Sequence, residues 1–134
     1  MATQDDAARL SEMETLLRRL HRAASPQEAV ELVSLMLPEL LGGGQTALFV
    51  MEGDSVIGIT PDTRELWPIA RDCAASGLLH RSQDGATVAV PVPGVGALAL
   101  RAGSRVPPAE ARLLELFGEH AAAALKPAER SAPS

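Results

Sequence analysis

The sequence predicts an α+β domain, an antiparallel five-stranded sheet with the terminal helices on one face and a short helix on the other. Three observations predict it. Both ends of the chain repeat apolar residues at helical spacing. The middle breaks into short apolar runs whose residues alternate between two faces. Two pairs of those runs are joined by two-residue turns, which only antiparallel strands can use. The length of 134 residues suits one domain, expected over residues 1–126, with 127–134 a flexible tail.

The first helix is expected from Asp5 to Ala24. Leu10, Met13, Leu17, Leu20 and Ala24 follow at spacings of three and four and form one seam. Asp5 and Asp6 open it and Arg18, Arg19 and Arg22 close it, the order that the helix dipole favours. Ser25 then reads as an N-cap, with Pro26 in the first helical position and Glu28 completing a capping box. The second helix carries Ala29, Val30, Leu32, Val33, Met36, Leu37 and Leu40, a broad apolar stripe, and ends at Gly42-Gly43-Gly44.

Strands follow at Thr46–Glu52 and Ser55–Thr60, hinged on Gly53-Asp54. A short helix over Arg64–Ser76 puts Leu66, Ile69, Ala70, Cys73 and Ala74 on one face. Pro68 must sit in its first turn, because deeper in it would remove a hydrogen bond and clash. Leu78–Arg81 reads as a third strand. Thr87–Val92 and Val95–Arg101 form a hairpin about Pro93-Gly94. The last helix is expected from Pro108 to Leu125, with Pro127 stopping it. Ala47, Phe49 and Met51 alternate with Leu48 and Val50, and Ala97 and Ala99 with Leu98 and Leu100. Both sheet faces are therefore apolar and need covers. The terminal helices give a thick cover and the middle helix a thin one, and under a thin cover a small-molecule cavity can form.

Composition excludes several classes. Aromatic residues are 2% of the chain, two Phe and one Trp with no Tyr, too few for base or sugar stacking. The net charge of −5 gives no footprint for nucleic acid. A single cysteine forms neither an internal disulfide nor a cysteine-rich zinc site. The apolar runs fall well short of the ~20 residues of a bilayer span. Met1 is followed by Asp5 and Asp6 rather than a basic stretch, so no secretion signal is expected and the location expected is cytoplasmic.

The layout resembles the GAF family of sensory and regulatory domains from Leu10 to Lys126. SPQEAVELVSLMLPELLGGGQTALFVMEGD (Ser25 to Asp54) is similar to the family's capped helix, glycine break and first strand. ATVAVPVPGVGALALRAG (Ala86 to Gly103) resembles its central hairpin, including Pro91, and VPPAEARLLELFGEHAAAAL (Val106 to Leu125) its closing helix. The resemblance implies a non-catalytic regulatory domain in signal transduction. The family's specialised motifs do not map onto this chain. The cyclic-nucleotide set needs a lysine by the pocket, and Lys126 is the only lysine. A bilin-binding cysteine is followed closely by histidine, whereas His80 lies seven residues after Cys73. Methionine sulfoxide reduction needs two cysteines, and a haem site needs a proximal histidine, for which only His80 is placed. No cofactor and no metal is expected. Roadblock-type and other profilin-like domains share the helix and strand alternation, and the first helix favours GAF over them.

Two functional readings result. In the first, a small apolar ligand sits between the sheet and the middle helix, against Phe49, Met51, Ile57, Ile59, Trp67, Ile69, Leu79, His80 and Pro91, with Ala97 and Ala99 leaving the space. In the second, the domain is a ligand-free interaction and dimerisation module whose pocket is filled by its own side chains. Trp67 either walls the pocket or caps the core. His80 reads as a pocket ligand or as an edge-strand surface histidine, and Cys73 as a buried inert thiol. A homodimer is expected through Leu10, Met13, Leu17, Leu20, Leu114 and Ala121, because the terminal helices carry more apolar surface than one sheet face needs; the second helix is the other candidate to absorb it. With little chain flanking these helices, a signal is expected to pass by association with an effector protein. No nucleophile–base pair is evident, so no enzyme activity is expected.

Overall fold

A computed structural model describes residues 2–41 and 43–131, without the side chains of residues 2–7, 9, 10 and 126–131. The chain forms α1 (Ala2–His21), α2 (Pro26–Leu40), β1 (Gln45–Glu52), β2 (Ser55–Ile57), a 3-10 turn (Arg64–Leu66), α3 (Trp67–Ser76), β3 (His80–Arg81), β4 (Thr87–Val92), β5 (Gly96–Arg101) and α4 (Pro108–Ser131). All neighbouring strands are antiparallel, in the order β2-β1-β5-β4-β3. The fold is α+β, with four helices and an open five-stranded sheet.

Local chemistry sets most boundaries. Ser25 Oγ accepts the Glu28 N–H at 3.2 Å, and the Glu28 carboxylate reaches back to the Ala24 N–H at 3.0 Å, so α2 begins on a reciprocal cap. Pro68 occupies the first turn of α3, and Gly77 closes that helix by donating to the Cys73 carbonyl at 2.8 Å. The residues before Trp67 wind as a 3-10 turn instead of joining the helix. In the β3–β4 turn, Asp84 accepts from the Ser82 hydroxyl at 2.6 Å and the Ala86 N–H at 3.0 Å, contacts that hold its carboxyl below the usual range.

Pro91 sits where a strand tolerates it. The Val95 N–H bonds the Val92 carbonyl and the Ser82 N–H bonds the Thr87 carbonyl. This parity turns the Pro91 nitrogen away from β5, toward an edge that β3, pairing only with Val88 and Ala89, does not reach.

Several boundaries differ from the sequence expectation. α1 ends at His21, before the expected Ala24. β2 stops at Ile57, where Gly58 turns the chain, and β3 keeps only two residues. The β4–β5 turn takes Val95 as a third residue, so β5 starts at Gly96. α4 continues past Pro127 to Ser131: a proline forfeits one helical hydrogen bond without ending the helix. Of the expected tail, residues 132–134 lie outside the described residues.

The layers also differ in part. α2 packs on β1 and α4 on β4, while α1 packs chiefly on α2 and α4, as an outer layer. The core on this side joins Met13, Leu16 and Leu20 of α1 to Val33 and Leu37 of α2, Leu48, Val90, Leu98 and Leu100 of the sheet, and Leu114, Phe117 and Ala121 of α4. Thr46, buried in the first strand, donates from Oγ1 to the Val33 carbonyl at 3.1 Å, tying the helix to the sheet. α3, with the 3-10 turn before it, covers the other face, against β4 and β5.

Candidate functional site

The face beneath α3 is where the sequence places a ligand. Its floor is four alanines, Ala47, Ala89, Ala97 and Ala99, beside Phe49, and its roof is Leu66, Ala70 and Cys73. All eight are buried. Alanine leaves space only if the covering element stays at a distance. Here the small floor lets α3 come down onto the sheet and fill the space itself. Trp67 closes the end, its ring 5.2 Å from that of Phe49 and tilted by 53°.

The expected pocket residues divide accordingly. Phe49, Trp67 and Ile69 do gather on this face, as core side chains in contact. Ile57 and Leu79 are corrections: both pack against the opposite core, Ile57 because it pairs with Val50 and shares its side of the sheet. Met51 and Ile59 are exposed, Met51 at the end of β1 and Ile59 beyond β2. Pro91 is half-buried, pairs with Ala97 and so shares the α3 side of the sheet, where with Met51, Ala74 and Gly77 it borders an opening beyond the packed core.

His80 is half-buried, and its Nε2 lies 2.9 Å from Ser76 Oγ. That hydroxyl also accepts the Leu78 N–H at 3.2 Å and lies 3.4 Å from the Cys73 carbonyl. The pair thus braces the turn after α3. Among the described residues, no group of three or more His, Cys, Asp and Glu side chains is placed to hold a metal ion. No helix among them is long and apolar enough to cross a membrane.

Cys73 is fully buried. Burial, and secondarily the charge of Glu115, pushes its thiol from 9.0 to about 11. The raised value makes stability fall as pH rises from about 9 toward about 11, since the unfolded chain loses that proton first. Cys73→Ala is expected to remove this slope from urea midpoints measured across the range. Iodoacetamide near neutral pH is expected to modify the native protein far more slowly than the unfolded one.

Most of the described residues of the expected dimer seam are buried inside the chain. Met13, Leu20, Leu114 and Ala121 are buried within the single molecule, and Leu17 is half-buried against the same core. The Leu10 side chain lies outside the described residues. Among the described residues, α2 and α4 are what the apolar face of α1 packs against.

Two openings were not legible in the sequence. A cleft of about 320 Å³ lies at the end of the sheet, where Leu20, Pro26, Val50, Val95 and Leu125 converge from separate segments. A broader groove of about 590 Å³ separates the outer side of α2 from the loop after β2. Each is assembled from residues distant in the chain, so no local pattern announces it. No protein-family model matches the chain, and no curated protein matches it.

Proposed function

We propose that this chain is a non-catalytic GAF-like domain that acts as a protein-interaction module in regulation. The carrying observation is the filled face beneath α3: Phe49, Ala70, Cys73, Ala89, Ala97 and Ala99 are each without exposure. A ligand there would have to displace the protein's own core. The arrangement of helices on both faces of the antiparallel sheet, with the terminal helices packed together, supports the GAF-like reading. In this reading the partner is a different protein, a choice supported by the burial of Met13, Leu20, Leu114 and Ala121 within one chain.

Native mass spectrometry of protein purified from its source tests this reading, with light scattering on the same sample. The expected result is the bare chain mass of 14.0 kDa in both measurements. A small molecule retained beneath α3 overturns the module reading. A stable mass of twice the chain restores the homodimer, on surfaces other than the buried seam.

A second reading rests on the cleft beside Leu20 and Val95, whose mainly apolar lining, with His21, Ser25 and Glu52 as its polar members, suits a small, mostly apolar ligand. A co-purifying molecule whose loss perturbs the amide signals of Val50, Val95 and Leu125, and not those of α3, would favour it.

A further inference from the structure

Leu35 is 74% exposed on the outer side of α2, more than any other large apolar side chain among the described residues. At 3.6 residues per turn, Glu28, Glu31 and Glu39 fall within about 40° of it around the helix. Glu28, Glu31 and Glu39 are all exposed, and α2 contains no basic residue. Among the described residues none of the three is in an ion pair. Glu28 accepts the Ala24 N–H, and Glu31 accepts from Gln27 at 3.4 Å, both neutral donors.

Beside Leu35 runs the groove of about 590 Å³ between α2 and the loop after β2. Its lining adds Asp62 and contains no Lys, Arg or His. Arg101 reaches Gln45 at its margin, but its charge is paired with Glu65 at 2.8 Å. Arg64, just past the loop, is exposed. The loop is held in place by Thr63, which donates to the Gly58 carbonyl and accepts the Thr60 N–H, both at 2.8 Å. The groove floor includes Thr46 of β1, in a stretch that β2, pairing only from Val50 onward, leaves uncovered. One exposed leucine is ordinary on a protein surface. A leucine centred among three carboxylates beside a fixed acidic groove sets both an anchor point and a charge preference.

We propose that this surface docks a basic segment of a partner protein, with one aliphatic side chain seated against Leu35 and lysine or arginine side chains over Glu28, Glu31, Glu39 and Asp62. The inference rests on the interaction-module reading and names its partner's chemistry. Burial of the aliphatic anchor supplies affinity. The carboxylates steer approach and select against acidic partners, since exposed ion pairs individually add little.

The test uses two fluorescent synthetic peptides of equal length and charge, lysine-rich, one with a central leucine and one with serine in its place. Each is titrated into the full chain, into Leu35→Ser and into the double variant Glu31→Lys/Glu39→Lys, with anisotropy as the readout. Thermal melts by circular dichroism check that the variants fold, as expected for positions on the outer side of the helix. The leucine peptide is expected to bind about tenfold more tightly than the serine peptide, and Leu35→Ser to erase that difference. The double variant is expected to weaken both peptides about tenfold or more, and added salt to weaken both in the wild-type chain. Equal binding of the two peptides, no binding of either, or discrimination that survives Leu35→Ser overturns the proposal. Such a failure, with no small molecule co-purifying, removes this surface and leaves the module reading standing; a molecule retained beneath α3 removes the reading itself.

Discussion

Phe49→Ala is expected to be the most damaging side-chain truncation in the molecule, costing about 4 kcal/mol and lowering the melting temperature by more than about 10 °C. Phe49 is fully buried and central to the face beneath α3. Its neighbours there are mostly alanines, which carry no side-chain length with which to close the hole. Trp67 loses its ring partner at the same time. A domain of this size has roughly 10 kcal/mol of stability in total, so the variant should be folded but marginal. Urea unfolding measures the loss. The same variant tests the functional proposal. The new cavity is apolar and should take up a small apolar probe such as benzene, raising the variant's melting temperature while leaving the wild type unchanged. Stabilisation of the wild type by such a probe, with amide shifts confined to the α3 face, would show that the face is open and sink the module reading.

Gly96→Ala is expected to cost about 3 kcal/mol although it adds one methyl group. A Cβ at Gly96 would lie 1.9 Å from the Phe49 carbonyl oxygen, where β5 runs beside β1. That atom is backbone at the centre of the sheet and cannot turn aside as a flexible side chain does. The methyl group therefore has to part the two strands. Gly103→Ala is the control: nothing lies within 4 Å of the place its methyl group would take, and it is expected to be close to neutral. Chemical denaturation of both variants checks the contrast. Equal costs at the two sites would mean that the tight approach of β1 and β5 does not constrain the sheet.

Much of this architecture is legible in the sequence because its signals are local. The Ser25–Glu28 cap, Pro68 in the first turn of α3, Gly77 after it and the Gly53-Asp54 hairpin all follow from contacts within a few residues. The alternation in β1 and β5 predicted two apolar faces, and both faces are packed. The pocket was less legible. The alternation shows that Ala97 and Ala99 share a face, but not how far away the covering helix will stand. Ile57 went to the opposite face from Phe49 because its register with Val50 fixes its side, and that register is a pairing between strands rather than a property of either one.

The sequence by itself determined the order of helices and strands, the turns that join them and the need to cover both sheet faces, since these depend on spacing along one chain segment. Tertiary structure alone decided what does the burying. Met13, Leu16 and Leu20 of α1 are buried in one core with α2 and α4, and α3 packs directly over the alanines of the other face. Apolar periodicity states that a surface needs a cover and carries no information on its identity, because dispersion and the hydrophobic effect reward any well-fitting neighbour alike.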